Sequence, residues 1–309
     1  MIVYRELSSL AFDLGLSAKT LYSASNRLSA HYRSVRLPKG NGEYRKLSVP
    51  DDLLKSIQTR INRVLLSLED VSVFASAYKP GGSTKKNAAP HVGKPVLLKL
   101  DIHRFFDSVT YCLVKEKVFP AERFSEQNRI LLSLLCTYDN ALPQGAPTSP
   151  AISNIILREF DQTVGQWCRQ SGIAYTRYCD DMTFSGDFET APVIEFVGNE
   201  LRKMGFFLNG RKTATARLGQ RQCVTGIVVN QKIGVPAAYK KRIRQEIYYC
   251  NKYGIDAHLQ RTGAGESRQT YGRKLLGKIH YVLSVEPRNS EMQAYREQLA
   301  RRMADEGNA

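Results

Sequence analysis

The alternation of apolar and polar residues predicts two strand-forming segments, and each of them leads to acidic residues. Residues 96–100 form an almost wholly apolar run, as in a buried strand, and Asp101 follows directly. Residues 173–178 and 182–185 alternate in polarity around the sequence Tyr178-Cys179-Asp180-Asp181, which predicts a β-hairpin with this sequence at its tip. The pattern therefore brings carboxylates to the ends of two separate strand segments.

Elsewhere the apolar residues recur at helical spacing, with short strand-like segments between the helices. The predicted helices are two within residues 6–30, one over 56–68, one that starts at Pro150 after the cap Ser149 and runs to 172, one over 192–204, and two over 237–253 and 270–285. Further predicted strands begin at Tyr44, Phe206 and Cys223. The chain thus combines many helices with a few strands.

The acidic residues at the hairpin tip indicate a metal site. Asp180 and Asp181 are adjacent like charges, so a bound divalent cation explains the pair better than folding does. Together with Asp101 they could hold two Mg²⁺ ions, which activate an attacking oxygen and stabilise a leaving one in phosphoryl transfer. For each site alone, the alternative is a helix-capping aspartate or a solvated acidic turn.

The composition predicts a polyanionic partner. The 309 residues include 45 Lys and Arg against 29 Asp and Glu, a formal net charge of +16, and cations that neutralise phosphates release counterions. A generic basic protein or a membrane-surface binder is the weaker alternative, because the charge is spread along the chain and not gathered on one amphipathic helix. No apolar stretch has membrane-spanning length and the amino terminus lacks a secretory pattern, so we expect a cytoplasmic protein. Six scattered cysteines and five histidines argue against structural zinc.

Four sequence blocks, in order, resemble those of the reverse transcriptases. Leu100-Asp101-Ile102 with Phe105-Phe106 is similar to the first catalytic block, residues 142–150 to the block before the long palm helix, 178–181 to the Tyr-x-Asp-Asp block, and 208–213 to the block after it. A lone Tyr-x-Asp-Asp occurs by chance, whereas four ordered blocks form a specific signal. The resemblance implies an α+β chain with the right-hand polymerase fold, in which an antiparallel palm sheet carries the hairpin.

Two further blocks are similar to those of bacterial retron reverse transcriptases. Asn87-Ala88-Ala89-Pro90-His91 matches their Asn-Ala-x-x-His block, and Val224-Thr225-Gly226 matches their Val-Thr-Gly block. The chain departs from the common family pattern at Cys179, where Ala is usual, and at His103-Arg104 and Asp107. None of these positions is a metal ligand in the family, so the departures bear on rate and subtype rather than on activity.

The resemblance also implies a division of the chain into three parts. Fingers and N-terminal helices are expected over residues 1–95, a palm over 96–235 that includes part of the fingers around 112–148, and a helical thumb over 236–309. Residues 231–309 contain 15 Lys and Arg, 8 Asp and Glu, and several tyrosines. This composition suits a thumb that grips a duplex.

The resemblance implies the following catalytic roles. Asp101 and Asp180 are expected to ligate two Mg²⁺ ions, with the Ile102 carbonyl as a backbone ligand. Successive side chains of an extended segment point to opposite faces, so we expect Asp181 to be a lesser ligand or an electrostatic support. Lys212 matches the family's candidate proton donor to pyrophosphate, with a purely electrostatic part as the alternative.

Nucleotide binding is implied for residues on three other segments. Arg45, on the predicted fingertip hairpin, stands where the family clamps the triphosphate, and Lys39 either assists it or is an ordinary surface cation. Phe106 matches the bulky residue under the sugar, where a ring would clash with a 2′-OH. Gln144 and Gly145 resemble the nucleotide-binding bend, in which close backbone approach requires glycine.

For the two retron-like blocks, the expected role is not in catalysis or nucleotide binding. Asn87, His91, Val224, Thr225 and Gly226 are expected either to be structural or to contact RNA. A single histidine in a proline-containing loop is more often a hydrogen-bonded scaffold residue than a catalyst.

The function implied by the resemblance is RNA-directed DNA synthesis of the retron type. The enzyme would bind dNTPs and a cognate structured non-coding RNA, start from a 2′-OH inside that RNA, and copy part of it into branched RNA-linked DNA (msDNA). A separate effector protein and a role in anti-phage defence are also implied. The alternatives are a reverse transcriptase of another bacterial lineage with different priming, and an inactive RNA-binding scaffold.

Overall fold

The structure is a computed structural model that describes residues 2–38, 42, 44–263 and 265–305. Its contacts divide the chain into two compact units. The first unit comprises Met1–Ser83 and Val96–Thr215, and the second comprises Thr84–Pro95 and Ala216–Ala309. Lys39, which the sequence offers as a second phosphate-binding cation, lies outside the described residues.

The chain alternates helices and strands, and both predicted classes of element are present. The helices are α1 Leu7–Leu14, α2 Ala18–Asn26, α3 Asp52–Val64, α4 Thr84–Ala88, α5 Phe105–Ser108, α6 Tyr111–Lys117, α7 Glu126–Cys136, α8 Ser149–Ile156, α9 Arg158–Gln170, α10 Thr190–Lys203, α11 Ala237–Tyr253, α12 Ile255–Thr262, α13 Arg268–Val285 and α14 Ser290–Asp305. The strands are β1 Tyr32–Pro38, β2 Tyr44–Pro50, β3 Val96–Asp101, β4 Ala174–Tyr178, β5 Asp181–Gly186, β6 Ala214–Arg217, β7 Cys223–Val224 and β8 Ile227–Val228.

The main sheet has the strand order β4-β5-β3-β6, and the two predicted acidic segments are neighbours in it. β5 pairs antiparallel with both β4 and β3. Only Lys99 of β3 is exposed, as expected for a strand covered on both faces. Leu98, Met182 and Phe184 of this sheet are fully buried, and each such side chain contributes roughly 1.5–3 kcal/mol of hydrophobic stabilisation. The packed core thereby fixes the strand ends that carry the aspartates.

The helix predicted to run from Pro150 to residue 172 is wrong as a single element, because it is divided into α8 and α9. Leu157, with φ −84° and ψ 3°, separates the two helices and is itself fully buried. The predicted cap is also wrong. Ser149 is the first residue of α8, and its hydroxyl donates to the carbonyl of Pro143 instead of accepting from the helix. Pro150 fits because an N–H is not needed in the first turn.

Other predicted boundaries also differ from the structure. The helix predicted over 56–68 begins earlier, as α3, because Asp51 caps it by accepting from the N–H of Leu54. The strand predicted to begin at Phe206 is reduced to one bridge between Ile102 and Leu208, and the regular strand β6 starts after Lys212. Lys212 therefore lies in a turn and not at a strand end.

The second unit is mainly helical and includes the small β7-β8 hairpin. Its core consists of apolar side chains from α11 to α14, among them Ile243, Ile247, Leu275, Ile279 and Val282. Among the residues that the structure describes, no helix combines the length and apolar character that a bilayer crossing requires. The division into fingers, palm and thumb at residues 95 and 235 stays a prediction.

Candidate active site

Three carboxylates from two distant segments meet at one end of the main sheet. Asp101, Asp180 and Asp181 each offer an oxygen, and these oxygens lie within 4.8 Å of one another. Asp101 is only 3% exposed, Asp180 is half-buried and Asp181 is exposed. The structure thus brings together the aspartates that the sequence assigned to one site.

The strand register explains why these side chains converge. Asp101, the last residue of β3, is paired directly with Asp181, the first residue of β5. Tyr178 pairs with Asp181 on the other side, so Cys179 and Asp180 form a two-residue turn. Cys179 has φ +62°, a left-handed conformation that tight hairpin turns require. The Ile102 N–H, just past β3, donates to the Asp180 carbonyl at 3.3 Å and ties the turn to the neighbouring strand.

Desolvation and mutual repulsion together determine the electrostatics of this cluster. The pKa of Asp181 is raised to about 6 by partial desolvation and then by the charges of Asp180 and Asp101. The Lys212 ammonium donates to Asp101 Oδ2 at 2.7 Å. Burial acts to lower the pKa of Lys212, but its hydrogen bond to Asp101 and the nearby carboxylates raise it overall. One cation therefore already compensates part of the negative charge.

Asn209 is a neighbour of Asp101 to which the sequence gave no separate role. Its side-chain Nδ2 donates to Asp101 Oδ1 at 3.0 Å, and its backbone N–H donates to the Asp101 carbonyl at 2.8 Å. With Lys212 on Oδ2, both oxygens of the carboxylate have a donor. The 208–213 block therefore orients the Asp101 side chain, although it is remote in sequence.

A buried arginine supports the hairpin turn from inside the unit. Arg177 is fully buried and forms two hydrogen bonds to Asp161, at 2.8 and 2.6 Å. Its remaining amino group donates to Asn154 Oδ1 at 3.2 Å and to the carbonyl of Cys179 at 2.8 Å. Tyr175 donates to the same Asp161 carboxylate at 2.8 Å. The guanidinium thus links helix α9 to the turn that carries Asp180.

The sequence did not single out Arg177, because an arginine at an alternating strand position usually points to solvent. The signal that would have found it is Asp161, an acidic residue on the apolar side of a predicted helix. A buried charge of one sign requires a partner of the other. Burial also raises the pKa of the Cys179 thiol to about 12, so this departure from the family pattern is a protonated, unreactive side chain.

The residues predicted to bind nucleotide lie on segments that contact one another. The N–H of Leu142 donates to the carbonyl of Phe106 at 3.1 Å, and the N–H of Ser48 in β2 donates to the carbonyl of Gln144 at 3.0 Å. Arg45 lies on the same strand β2 and is exposed. Phe106 is half-buried and meets Phe105, a core residue, edge to face. Their roles with a nucleotide stay predictions.

Gly145 has a structural reason to be glycine. Its φ is +131°, and a Cβ atom at this position would lie 2.9 Å from the carbonyl oxygen of Ser48. A side chain would therefore push β2 away from the 142–150 segment. The close backbone approach that the sequence indicated is thus seen between two parts of the protein.

The two retron-like blocks meet inside the second unit. Asn87 is fully buried, and its Nδ2 lies 3.4 Å from Thr225 Oγ1, while Val224 is buried beside it in β7. Thr225 and Gly226 both have positive φ, +44° and +82°, and form the β7-β8 turn. His91 is also fully buried, and burial lowers its pKa to about 4. This burial favours a structural role for these residues over the alternative prediction that they contact RNA.

Comparison with known proteins agrees with the arrangement of the blocks. The sequence model of the family described as "Reverse transcriptase (RNA-dependent DNA polymerase)" matches residues 37–247, which include all three aspartates. The chain belongs to the reverse transcriptase family. An α+β chain with an antiparallel sheet that bears the Tyr-x-Asp-Asp hairpin is consistent with the polymerase fold of this family.

Two similar proteins indicate which type of reverse transcriptase this is. The retron Mx65 reverse transcriptase of Myxococcus xanthus is 33% identical over 95% of this chain and 71% of its own length. The retron Ec86 reverse transcriptase of Escherichia coli is 30% identical over 84% of this chain and 82% of its own length. The predicted retron type is thereby confirmed.

A solved telomerase from Candida albicans, in complex with a telomeric RNA fragment, is also similar. It aligns with a TM-score of 0.48 at 12% identity, over 88% of this chain and 59% of that one. At this low similarity the fold assignment rests on the chain's own sheet and on the family match.

The acidic cluster fits a divalent cation. The ligand atoms that it offers are carboxylate oxygens, which hard cations prefer. The Ile102 carbonyl, which directly follows Asp101 in the sequence, is a further oxygen ligand that could contribute. Among the described residues, no backbone N–H donates to the Ile102 carbonyl, whereas the Asp101 carbonyl accepts from Asn209. The pKa of Asp181 is raised first by desolvation and then by repulsion from Asp180 and Asp101, and a bound cation would relieve that repulsion. These residues can therefore hold the divalent metal that the family uses.

Proposed function

We propose that the protein is a retron-type RNA-directed DNA polymerase that copies part of a dedicated, structured non-coding RNA. One observation carries the proposal: Asp101, Asp180 and Asp181 converge within 4.8 Å at the end of the main sheet. Similarity to two retron reverse transcriptases over more than four fifths of the chain supports the retron type.

The metal in this proposal is magnesium, as two ions. Asp101 and Asp180 are the main ligands, Ile102 contributes its carbonyl, and Asp181 is a lesser ligand or an electrostatic support. When bound, the ions supply activation of the primer hydroxyl and neutralisation of the triphosphate and of the leaving pyrophosphate. Asn209 keeps the Asp101 carboxylate oriented through its bond to Oδ1.

Other residues of the chain would bind and orient the dNTP. Arg45 on β2 pairs with the triphosphate as a bidentate cation. Phe106 excludes a 2′-OH and so favours dNTPs over ribonucleotides. Gln144 and Gly145 form the bend beside the nucleotide, next to β2. Lys212 holds an ammonium 2.7 Å from Asp101, within the region where negative charge increases as pyrophosphate leaves, and is the candidate proton donor.

The proposed partners are the cognate RNA, its RNA–DNA product and a separate effector protein. Synthesis would start from a 2′-OH inside the RNA and produce branched RNA-linked DNA, and the system would act in defence against phage. The formal net charge of +16 supports an RNA partner, because it favours release of counterions from phosphates.

The proposal is tested by expressing the protein together with its cognate RNA locus and isolating the nucleic acid that copurifies. We expect DNA joined to RNA through a 2′–5′ linkage. Asp180→Ala should abolish this DNA while the RNA still copurifies. The matched control is Asp187→Ala, which removes an exposed aspartate just beyond the other end of β5. Unchanged DNA with Asp180→Ala refutes the site, and DNA on an ordinary 3′-OH primer refutes priming from an internal 2′-OH.

A further inference from the structure

The second unit carries a row of tyrosines and cations, all exposed except the half-buried Tyr253, which we name the tyrosine stripe. It consists of Tyr248, Tyr249, Lys252 and Tyr253 of α11 with Arg261 of α12. Tyr248 is 55% exposed and Tyr249 is 42% exposed. The stripe lies after residue 247, where the match to the reverse transcriptase family ends.

Core packing accounts for these rings only in part. Tyr249 stacks on the buried His258 of α12, with ring centroids 5.6 Å apart, yet it stays 42% exposed. The buried side of α11 is formed by Ile243, Ile247 and Cys250, all nearly inaccessible. Tyr248 and Tyr249 point away from that side, at positions where a soluble helix normally carries polar residues. A group of exposed aromatic side chains on one helix face marks a binding surface.

The rings of the stripe are already ordered by contacts with one another and with cations. Tyr249 and Tyr253 are nearly parallel, with ring centroids 6.3 Å apart, and Tyr248 meets Tyr249 edge to face at 5.4 Å. Arg261 lies 3.9 Å over the Tyr253 ring, and the Lys252 ammonium lies 5.3 Å from the same ring. Prior ordering reduces the entropy that a ligand must overcome.

The neighbouring charge indicates an anionic ligand with flat faces. Exposed Lys241 and Arg242 precede the tyrosines on α11, and Lys241 shares a helical face with Tyr248 and Lys252 through its spacing of seven and eleven residues. Cations beside exposed aromatic rings are the combination that binds single-stranded nucleic acid, in which phosphates pair with cations and bases stack on rings. In a duplex the base faces are already stacked and are not available.

We propose that the tyrosine stripe binds an unpaired segment of the non-coding RNA by base stacking on Tyr248 and Tyr249. The identity of this ligand rests on the proposed function, because the ligand is part of the RNA that the enzyme is proposed to copy. The stripe is a binding site for the RNA and takes no part in the chemistry of DNA synthesis.

The test measures the affinity of the full-length protein for a fluorescein-labelled, unstructured 12-nucleotide oligo-uridine and for a 12-base-pair RNA duplex. Tyr248→Ala/Tyr249→Ala should weaken oligo-uridine binding at least tenfold, since each stacked base is worth roughly a factor of 5 to 150. Tyr248→Phe/Tyr249→Phe, which keeps the rings, should stay within about threefold. The matched control is Phe12→Ala, which removes a ring that is 84% exposed on α1 of the first unit.

Salt dependence separates stacking from charge. The tyrosine-to-alanine variant should keep the wild-type slope of log K against log salt, because no phosphate contact is lost. Lys241→Ala/Arg242→Ala should reduce the slope by about 1.4, from two contacts at about 0.7 each. If Tyr248→Ala/Tyr249→Ala leaves the affinity for oligo-uridine unchanged, the proposal is overturned. The stripe would then be a surface for a protein partner. An equal loss of affinity for the duplex also overturns it.

The failure of this inference is distinct from failure of the proposed function. DNA synthesis is measured separately, as dNTP incorporation on a generic primer–template pair that lacks the cognate RNA. Wild-type incorporation together with tyrosine-independent oligo-uridine binding refutes the stripe alone. Tyrosine-dependent binding supports the stripe, whether or not dNTPs are incorporated.

Discussion

At the scale of single residues, the orientation of Asp101 is the feature on which the site depends. Its two carboxylate oxygens accept from Asn209 and Lys212, and its backbone carbonyl accepts from Asn209 as well. The sequence predicted Asp101, Asp180 and Asp181, because acidic residues at strand ends stand out in an apolar pattern. It did not predict that Asn209 would contact Asp101, because that contact depends on the turn that replaces the predicted strand.

The residue-scale prediction concerns Asn209→Ala. Loss of one hydrogen bond to the carboxylate, worth about 1 kcal/mol, should raise the Mg²⁺ concentration for half-maximal dNTP incorporation roughly fivefold. Activity at saturating Mg²⁺ should change much less. A magnesium titration of primer extension measures this, with Asn26→Ala, an exposed asparagine at the end of α2, as the control. An unchanged magnesium requirement would show that Asn209 does not orient the ligand.

At the scale of elements, the β4-β5 hairpin was predictable and its support was not. Alternation in residues 173–185 predicted both strands and the acidic tip, and the structure confirms them. Arg177 occupies an alternating position like any surface residue, so its burial depends on Asp161, which α9 provides from earlier in the chain. Likewise, the sequence did not indicate that Leu157 would divide one predicted helix into two.

A prediction for this element is that Asp161→Asn destabilises the protein strongly. The buried Arg177 charge would lose its counter-charge, which costs roughly 3–5 kcal/mol of unfolding free energy. Tyr175→Phe removes one hydrogen bond to the same carboxylate and should cost about 1 kcal/mol. Urea unfolding followed by circular dichroism compares the two. If both variants lose the same small amount, the ion pair does not support the hairpin.

The buried His91, which follows α4, predicts a pH dependence. Its pKa is about 4 in the folded state because of burial, against about 6.5 when unfolded. Below pH 6.5 the unfolded chain binds a proton that the folded chain does not, so stability should fall as the pH decreases from 6.5 to 4. The contribution reaches roughly 2–3 kcal/mol at the lower limit.

His91→Gln isolates this contribution, whatever its own effect on stability at neutral pH. Between pH 6.5 and pH 4.5, the difference in unfolding free energy between wild type and variant should shift in favour of the variant by about 2 kcal/mol. Denaturant unfolding at several pH values measures the difference. A difference that is constant over this range would contradict the neutral, buried state of His91.

At the scale of the whole molecule, composition predicted the class of partner but not the arrangement of the chain. The positive net charge indicated nucleic acid, in agreement with membership of the reverse transcriptase family. The sequence did not indicate that Thr84–Pro95 would belong to the same compact unit as Ala216–Ala309. Contacts such as that of Asn87 with Thr225 join segments more than a hundred residues apart. The periodicity of apolar residues does not indicate such contacts.

The most direct measurement is anomalous X-ray diffraction from crystals of the protein soaked in Mn²⁺, used in place of Mg²⁺. The account predicts an anomalous peak within coordination distance of carboxylate oxygens of Asp101 and Asp180. It also predicts that this peak is lost in crystals of the Asp180→Asn variant. An enzyme that incorporates dNTPs with Mn²⁺, but shows no density between these residues in crystals that include primer–template and dNTP, would contradict the account.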